Sequence, residues 1–463
     1  MEDSTSSKPV SHRTKLLYGV GAFGYGSTVQ TMNSFLMFFG TGILGIPGAL
    51  MGVAIAISTV WDATTDPFVG HFSDKTRSRF FGKRHGYLLV GAIMVAVFNI
   101  LVWSINPGLP IWAKFVLLLT LLLGIETFNT FYSTPYQALG LDLSKSYQDR
   151  TLVQNYKTVF SFLSLLVPSL LMIVFLSPTR YATMGASSQG YRDIAIVTSI
   201  LCIICGLIVF FGTYKHRPIY KPIPNENQEK SKGIITDFFS VVKQKNVGRL
   251  ILGYAISLSA AAFITSLGLH VFTFTFQFST NEIPVVMVSL IIGIIVGQPI
   301  WYHFSKRTDK VTALIVAIIV VILGILAFGM ALAFRNQINP YAVLPLVALT
   351  IFICGVGSGC LYSLPISMFA DCIDRANRQN NTDKTAVSAG FLTFCTKVSN
   401  AFIMFIIGVS LDLIGFRGNQ ATQSLFVQNM LGFVLVSGVV VACTLALFVY
   451  SGYSFSKKDF ENN

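Results

Sequence analysis

Long apolar stretches alternate with short polar intervals along almost the whole chain. Twelve of them, at 16–40, 48–72, 86–105, 112–138, 155–178, 192–213, 249–278, 284–304, 311–334, 341–369, 386–414 and 426–452, are long enough to cross a bilayer as helices. A span needs about 20 mainly apolar residues, and in hydrocarbon a helix is the simplest way for one segment to satisfy its own backbone hydrogen bonds. The longest polar interval, 214–248, holds KHRPIYKPIPNENQEKSKG and divides the spans six and six. The pattern predicts an all-α integral membrane protein. An N-terminal six-helix bundle occupies 1–213, a linker 214–248, and a C-terminal six-helix bundle with a short tail 249–463. GHFSDKTRSR follows the second span at Gly70 and HFSKRTD follows the eighth at His303, a positionally matched echo between the halves. Repeats of this kind predict a site at the midplane between them.

Composition agrees. The 463 residues are 53% hydrophobic and only 11% charged, against roughly 25% charged in a soluble domain. The net charge of +13 would point a soluble protein toward nucleic acid, but here it is concentrated in alternate loops. Arg13 and Lys15 precede the first span, Lys75, Arg77, Arg79, Lys83 and Arg84 follow the second, and Lys145 and Arg150 follow the fourth. Lys215 to Arg249 fill the middle and Lys457 and Lys458 the tail. By the positive-inside rule both termini and the linker are expected in the cytoplasm, with the lipid bilayer rather than nucleic acid as the large partner. The first dozen residues are polar and lack the pattern of a cleaved signal, so the first helix is expected to insert uncleaved, in a bacterial inner or plasma membrane. Cys202 and Cys205 have CxxC spacing, but inside an apolar helix with no histidine or second pair, so neither metal nor redox chemistry is expected. No nucleophile–base pair, metal-ligand spacing or phosphate-cradling glycine loop points to catalysis, and no cofactor is expected.

An ionisable side chain at helix-centre depth costs about 2.5–3.5 kcal/mol to insert and is a functional candidate by default. Asp62 and Asp66, in STVWDATTDPFVG, lie one helical turn apart on one face of the second span. Two such carboxylates share a proton or jointly ligate a hard cation; otherwise Asp66 with Pro67 caps or kinks the helix and Asp62 pairs with a lysine. The fourth span carries a stripe of Glu126, Thr130, Ser133 and Gln137, and the first a stripe of Gly26, Gln30 and Asn33. Lys157 sits early in the fifth span; Lys397 lies mid-span in the eleventh, with Thr393 and Asn400 on its face. His270 is the histidine at mid-depth, either a proton shuttle or a satisfied core residue. In the loops, Asp74 with Arg77 and Arg84, and Asp371 with Asp374, are candidate gating pairs at the cytoplasmic face.

On the stretches YGVGAFG at Tyr18, WDATTDPFVGHFSDKTRSRFFGKRHGYLLVGA from Trp61, STPYQAL and YQDRT between Ser133 and Thr151, FADCID at Asp371 and FLTFCTKVSNAF around Lys397, the chain resembles the glycoside–pentoside–hexuronide:cation symporter family, the melibiose-permease branch of the major facilitator superfamily. The resemblance spans nearly the whole chain. It implies a twelve-helix alternating-access symporter, working as a monomer, that couples a small-molecule solute to Na⁺, Li⁺ or H⁺. It also implies that Asp62, Asp66 and Thr130 are cation-site residues and that Lys397 is the lysine of the eleventh helix. Thr65 stands where melibiose permease has a cation-site asparagine, and Lys157 where the family commonly has arginine. Gly26 and Ser133 stand where melibiose permease has sugar-binding acids, so an anionic, uronide-like solute or a larger glycoside held by neutral groups is expected. Gln30, Ser133, Gln137, Lys157, His270, Lys397 and Asn400 are the candidate solute residues. The lysolipid symporters of vertebrates also resemble this family, which leaves an amphiphile as the alternative cargo; a non-transporting sensor is a third reading.

Overall fold

The computed structural model describes residues 10–76, 78, 80–143, 147–176, 188–216, 245–380, 385–418, 420 and 422–453. Among these, twelve long helices account for nearly all of the chain and no strand is present. They are α1 His12–Phe38, α2 Gly48–Lys75, α3 His85–Trp103, α4 Ile111–Asp142, α5 Tyr147–Phe175, α6 Ser188–Thr213, α7 Lys245–His270, α8 Ile283–Arg307, α9 Lys310–Ala333, α10 Pro340–Asn380, α11 Thr385–Leu413 and α12 Leu425–Ser451. Eleven of the twelve are apolar and long enough to cross a membrane; α1 is not among them. Its deficit is compositional: Gln30, Asn33, four glycines and a run of hydroxyl side chains dilute its apolar content. Close packing compensates, since a Cβ at Gly21 or Gly24 would come within 2.4 Å of Val209 or Cys205 on α6. Prolines lie inside α2, α4, α5, α8 and α10 without ending any of them. In particular α2 runs through Pro67 to Lys75, so the Asp66–Pro67 pair is not a helix end.

The two halves repeat each other in detail. Each first helix leads into a five-residue π-helical turn, Phe39–Ile43 after α1 and Val271–Thr275 after α7. Each also has a cation at the start of its third helix bound to an aspartate on its fourth. Arg84, next to α3, contacts Asp142 at 3.4 Å and Ser73 at 2.8 Å. Lys310, opening α9, contacts Asp371 at 2.5 Å and Ser367 at 2.8 Å. In both cases the cation ties the end of one helix to its neighbours.

Two compact units emerge. The first comprises the chain up to Leu36, Trp61–Leu176 and α6 with the turn after it; the second comprises Met37–Val60 and the chain from α7 onward. The first unit is built on Tyr18, Leu88, Ala92, Tyr132, Tyr136 and Val209 from α1, α3, α4 and α6. A buried amide pins α3 to α6: Asn99 donates to the Ala195 carbonyl and the Thr198 and Ser199 hydroxyls at 3.0–3.1 Å, and accepts from Trp103 Nε1. In the second unit α8 and α10 meet through Gly293, Gly297, Gly355 and Gly359. A Cβ at Gly293 would lie 2.3 Å from the Phe352 carbonyl, and one at Gly355 would lie 2.3 Å from the Leu290 carbonyl. Spacing of four on both helices lets the backbones touch, the small-residue packing typical of membrane helices. The first turn of α2 also belongs to this unit, where both Asp412 carboxylate oxygens accept its backbone N–H groups, from Gly48 at 2.6 Å and Ala49 at 2.8 Å.

Candidate functional site

The pair of helices α2 and α4 brings the membrane carboxylates together with hydroxyl groups. Asp62 and Asp66 are both half-buried on α2, while Thr130 on α4 is completely buried. The Thr130 hydroxyl lies 2.8 Å from Asp62 Oδ1 and 3.4 Å from the Thr65 hydroxyl. Thr65 in turn reaches the Asp62 carbonyl at 3.1 Å. One turn away, Trp61 Nε1 donates to the Thr127 hydroxyl at 2.9 Å, clamping the same two helices. A threonine hydroxyl has one proton, so the Thr130 proton given to Asp62 leaves its lone pairs facing Thr65. The result is a cluster of hard oxygens between two membrane helices, the donor type that suits a small cation or a proton. Among the described residues no group of three or more His, Cys, Asp or Glu that could hold a metal ion is gathered. Glu126, one turn before Thr130, accepts from the Asn129 amide at 3.1 Å.

A residue absent from the sequence expectations sits at the centre. The Tyr25 side chain on α1 lies beside Ser133 and within electrostatic reach of Asp62, Glu126 and Asp66. Its ring stacks on Tyr132 at 5.2 Å, Tyr132 stacks on Tyr136 at 5.5 Å, and Tyr136 stacks on Tyr18 at 4.5 Å. Two hydroxyls lock this ladder by reciprocal bonds to backbone carbonyls: Tyr136 donates to Tyr18 at 2.7 Å, and Tyr18 to Tyr136 at 3.1 Å. Lys157 stands 6.0 Å from the Tyr136 ring centre, at the outer reach of a cation–π contact. The ladder thus runs from Lys157 to the carboxylates within the first unit.

The other expected residues fall in different settings. Gln30 and Ser133 are half-buried, whereas Gln137 on α4 and Asn33 on α1 are exposed. Gly26 has a packing reason for lacking a side chain: a Cβ there would lie 2.5 Å from Ser164 Oγ on α5, so a side chain at 26 requires Ser164 to give way. In the second unit Lys397 and Asn400 are half-buried on α11. His270 is fully buried, its Nε2 2.9 Å from the Thr41 hydroxyl and its ring against Phe38 and Phe416. Of the gating residues, Arg84 and Asp371 are bonded within their own units, as described above. The side chains of Asp74 and Asp374 and the whole of Arg77 lie outside the described residues.

The sequence matches the MFS/sugar transport protein family over residues 17–457. The chain belongs to that family. Relatives of this MFS chain are named symporters. An uncharacterized symporter of Synechocystis sp. is 24% identical, with 90% of this chain and 88% of the relative covered. The uncharacterized symporter YjmB of Bacillus subtilis is 24% identical, with 96% and 92% covered. The sodium-dependent lysophosphatidylcholine symporter 1 of Xenopus tropicalis is 22% identical, with 99% and 91% covered. Among solved structures, a bacterial homologue of the human lysosomal transporter Spinster, in an inward-facing and unoccupied conformation, superposes with a TM-score of 0.67 at 12% identity, covering 99% of each chain. The xylose transporter XylE from E. coli superposes with a TM-score of 0.60 at 11% identity, covering 96% of each. These superpositions place the MFS chain in the multi-pass transporter fold.

Proposed function

We propose that this MFS protein is a secondary active transporter that carries a cation, Na⁺ or H⁺, together with an organic solute by alternating access. The observation that carries the proposal is the Asp62–Thr130–Thr65 oxygen cluster, with Asp66 one turn away on the same face of α2. In this reading Asp62, Asp66, Thr65 and Thr130 receive the cation. Tyr25 then relays the change to Ser133, because a cation neutralises the negative field around the Tyr25 hydroxyl. Gln30, Ser133, Gln137 and Lys157 are the candidate solute residues of the first unit, and His270, Lys397 and Asn400 those of the second. Coupling is reciprocal: whatever factor the cation adds to solute affinity, the solute adds to cation affinity.

Two lysines and no acid at 26 or 133 favour an anionic, uronide-like sugar. A second reading, a lysolipid cargo, is supported by the vertebrate relatives named for lysophosphatidylcholine, which align over nearly the whole chain. Proteoliposome uptake of glucuronides, neutral glycosides and lysophosphatidylcholine, each with and without a Na⁺ or H⁺ gradient, separates the two. Cation-dependent accumulation of glucuronide with no lysolipid uptake is expected. Asp66→Asn should abolish coupled uptake; if coupled uptake and counterflow both persist with unaltered ion dependence, the cation-site assignment is wrong.

A further inference from the structure

The distance between Asp62 and Thr130 is set by the seam between α2 and α4, and the two sides of that seam are held differently. α4 is fixed from behind. Its Tyr132 packs on α3 so closely that a Cβ at Gly91 would lie 2.8 Å from the Tyr132 backbone nitrogen, and the ladder of Tyr25, Tyr132, Tyr136 and Tyr18 binds it to α1. The large side chains of α2 do less to hold that helix: Trp61, Phe68 and Phe72 are 45%, 65% and 60% exposed.

α4 meets α2 along a stripe of threonines, Thr127, Thr130 and Thr134, spaced by three and four so that they share one helix face. Thr130 faces Asp62 and Thr65 in the oxygen cluster. Gly70 lies against Thr134, where an added Cβ would rest 3.5 Å from the Thr134 methyl group. Thr127 takes the Trp61 indole N–H at 2.9 Å, in a bond that uses no residue of the cluster. The direction of that bond is settled. An indole N–H only donates, and Thr127 gives its own proton to the Leu123 carbonyl at 2.7 Å, which leaves a lone pair to accept.

Position sets Trp61 apart. Tryptophans of membrane proteins collect at the two interfaces, whereas Trp61 lies at the middle of α2, beside Asp62, and is the first residue of that helix to belong to the first unit. The indole therefore fastens α2 to α4 one residue from the carboxylate. Selectivity among hard cations follows from the size and rigidity of the oxygen cage. A clamped gap keeps one oxygen spacing and favours the ion whose radius matches it; a gap free to widen adapts to several.

We propose that Trp61 is a specificity-determining residue, clamping α2 to α4 through Thr127 so that the Asp62–Thr130 gap discriminates between cations by radius. This inference rests on the reading of Asp62, Asp66, Thr65 and Thr130 as the cation site. Its test needs no solute: the purified full-length protein is titrated with NaCl or LiCl, ionic strength held constant with choline chloride, and binding is followed as the rise in the thermal-unfolding midpoint. Wild type should half-saturate at different concentrations of the two salts. Trp61→Phe keeps a ring but loses the N–H, and Thr127→Val keeps the shape but loses the acceptor. Each should bring the ratio of the two concentrations toward one by about 2- to 10-fold, the worth of one neutral hydrogen bond. The double variant should go no further than either alone, and Thr127→Ser should retain the wild-type ratio. Thr127→Val stands as the test should Trp61→Phe fail to fold. A wild type that answers both salts equally, or variants that keep its selectivity, would overturn the clamp while leaving the cation site in place. A changed ratio in Trp61→Phe that Thr127→Val does not share would trace the effect to ring packing and overturn it too. No stabilisation of the wild type by either salt would leave the clamp nothing to select and would count against a metal cation at the site itself.

Discussion

Thr130 contributes one hydroxyl, fully buried, to the oxygen cluster at Asp62. Thr130→Val keeps its shape and leaves a membrane carboxylate short of a donor, a loss of about 1–3 kcal/mol and hence roughly a 5- to 150-fold rise in the cation concentration for half-maximal uptake. Thr130→Ser should restore the wild-type value. A rise that Ser also shows would mean that the methyl group, and so packing, matters instead. Tyr25→Phe separates the two roles of that ring. Stacking on Tyr132 survives, while the hydroxyl beside Ser133 and the carboxylates is lost, so solute affinity should fall about fivefold or more with little change in thermal stability. Equal affinities in titration calorimetry would remove Tyr25 from the relay. Asp62, Asp66 and Thr130 were legible in the sequence because a carboxylate in an apolar run is conspicuous and Thr130 shares a helical stripe with Glu126. Tyr25 was not. A tyrosine in a membrane helix carries no such signal, and its role exists only because α1 packs on α4. Asp412 was missed for a similar reason: at the end of a span it reads as a loop residue, and only folding brings it to the first turn of α2.

At the scale of elements, hydropathy located all twelve helices and most of their ends, since burying a backbone in lipid leaves little choice of structure, although α5 begins at Tyr147 rather than 155 and α7 ends at His270 rather than 278. Two features escaped it. The π turns after α1 and α7 have no sequence signature; their matched positions become visible only when the halves are compared. The length of α10 also exceeds its predicted span of 341–369. At 41 residues it extends about 60 Å, roughly twice the hydrocarbon thickness, and its polar last turns follow the helix beyond the apolar stretch. Packing within the second unit is most demanding where α8 meets α10. Gly355→Leu drives a side chain against the Leu290 carbonyl, which is backbone and cannot rotate away, so a loss of about 1–3 kcal/mol is expected. Gly390→Leu, at an α11 site with no atom within 4 Å of the added Cβ, is the control and should unfold at the wild-type temperature. Similar midpoints for the two variants in a thermal-unfolding assay would show that the α8–α10 contact is loose. In the first unit Asn99→Leu leaves the Trp103 N–H and two hydroxyls without their partner, with an expected cost of about 1–3 kcal/mol.

For the molecule as a whole, the telling feature is how α2 is shared. Its first half, up to Val60, belongs to the second unit, and its second half, from Trp61, to the first. The division falls one residue before Asp62. A charge change at Asp62 and Asp66 therefore acts on a helix whose other end is fastened by Asp412, whose carboxylate accepts two otherwise unpaired N–H groups and sits favourably at the positive end of the helix dipole. If α2 transmits cation binding between the units, amide exchange across Gly48–Val60 should respond to Na⁺ or to pH in the wild-type protein, and Asp66→Asn should abolish that response. Asp412→Asn should act differently. It removes the anionic cap, worth about 1 kcal/mol, so exchange in the first turn of α2 should quicken about fivefold whether or not the cation is present. The two variants thus test opposite ends of one helix with one measurement. A cation response in Asp66→Asn as large as in wild type would show that α2 is moved from elsewhere. An Asp412→Asn protein with unchanged exchange would show that the cap is not what fastens it.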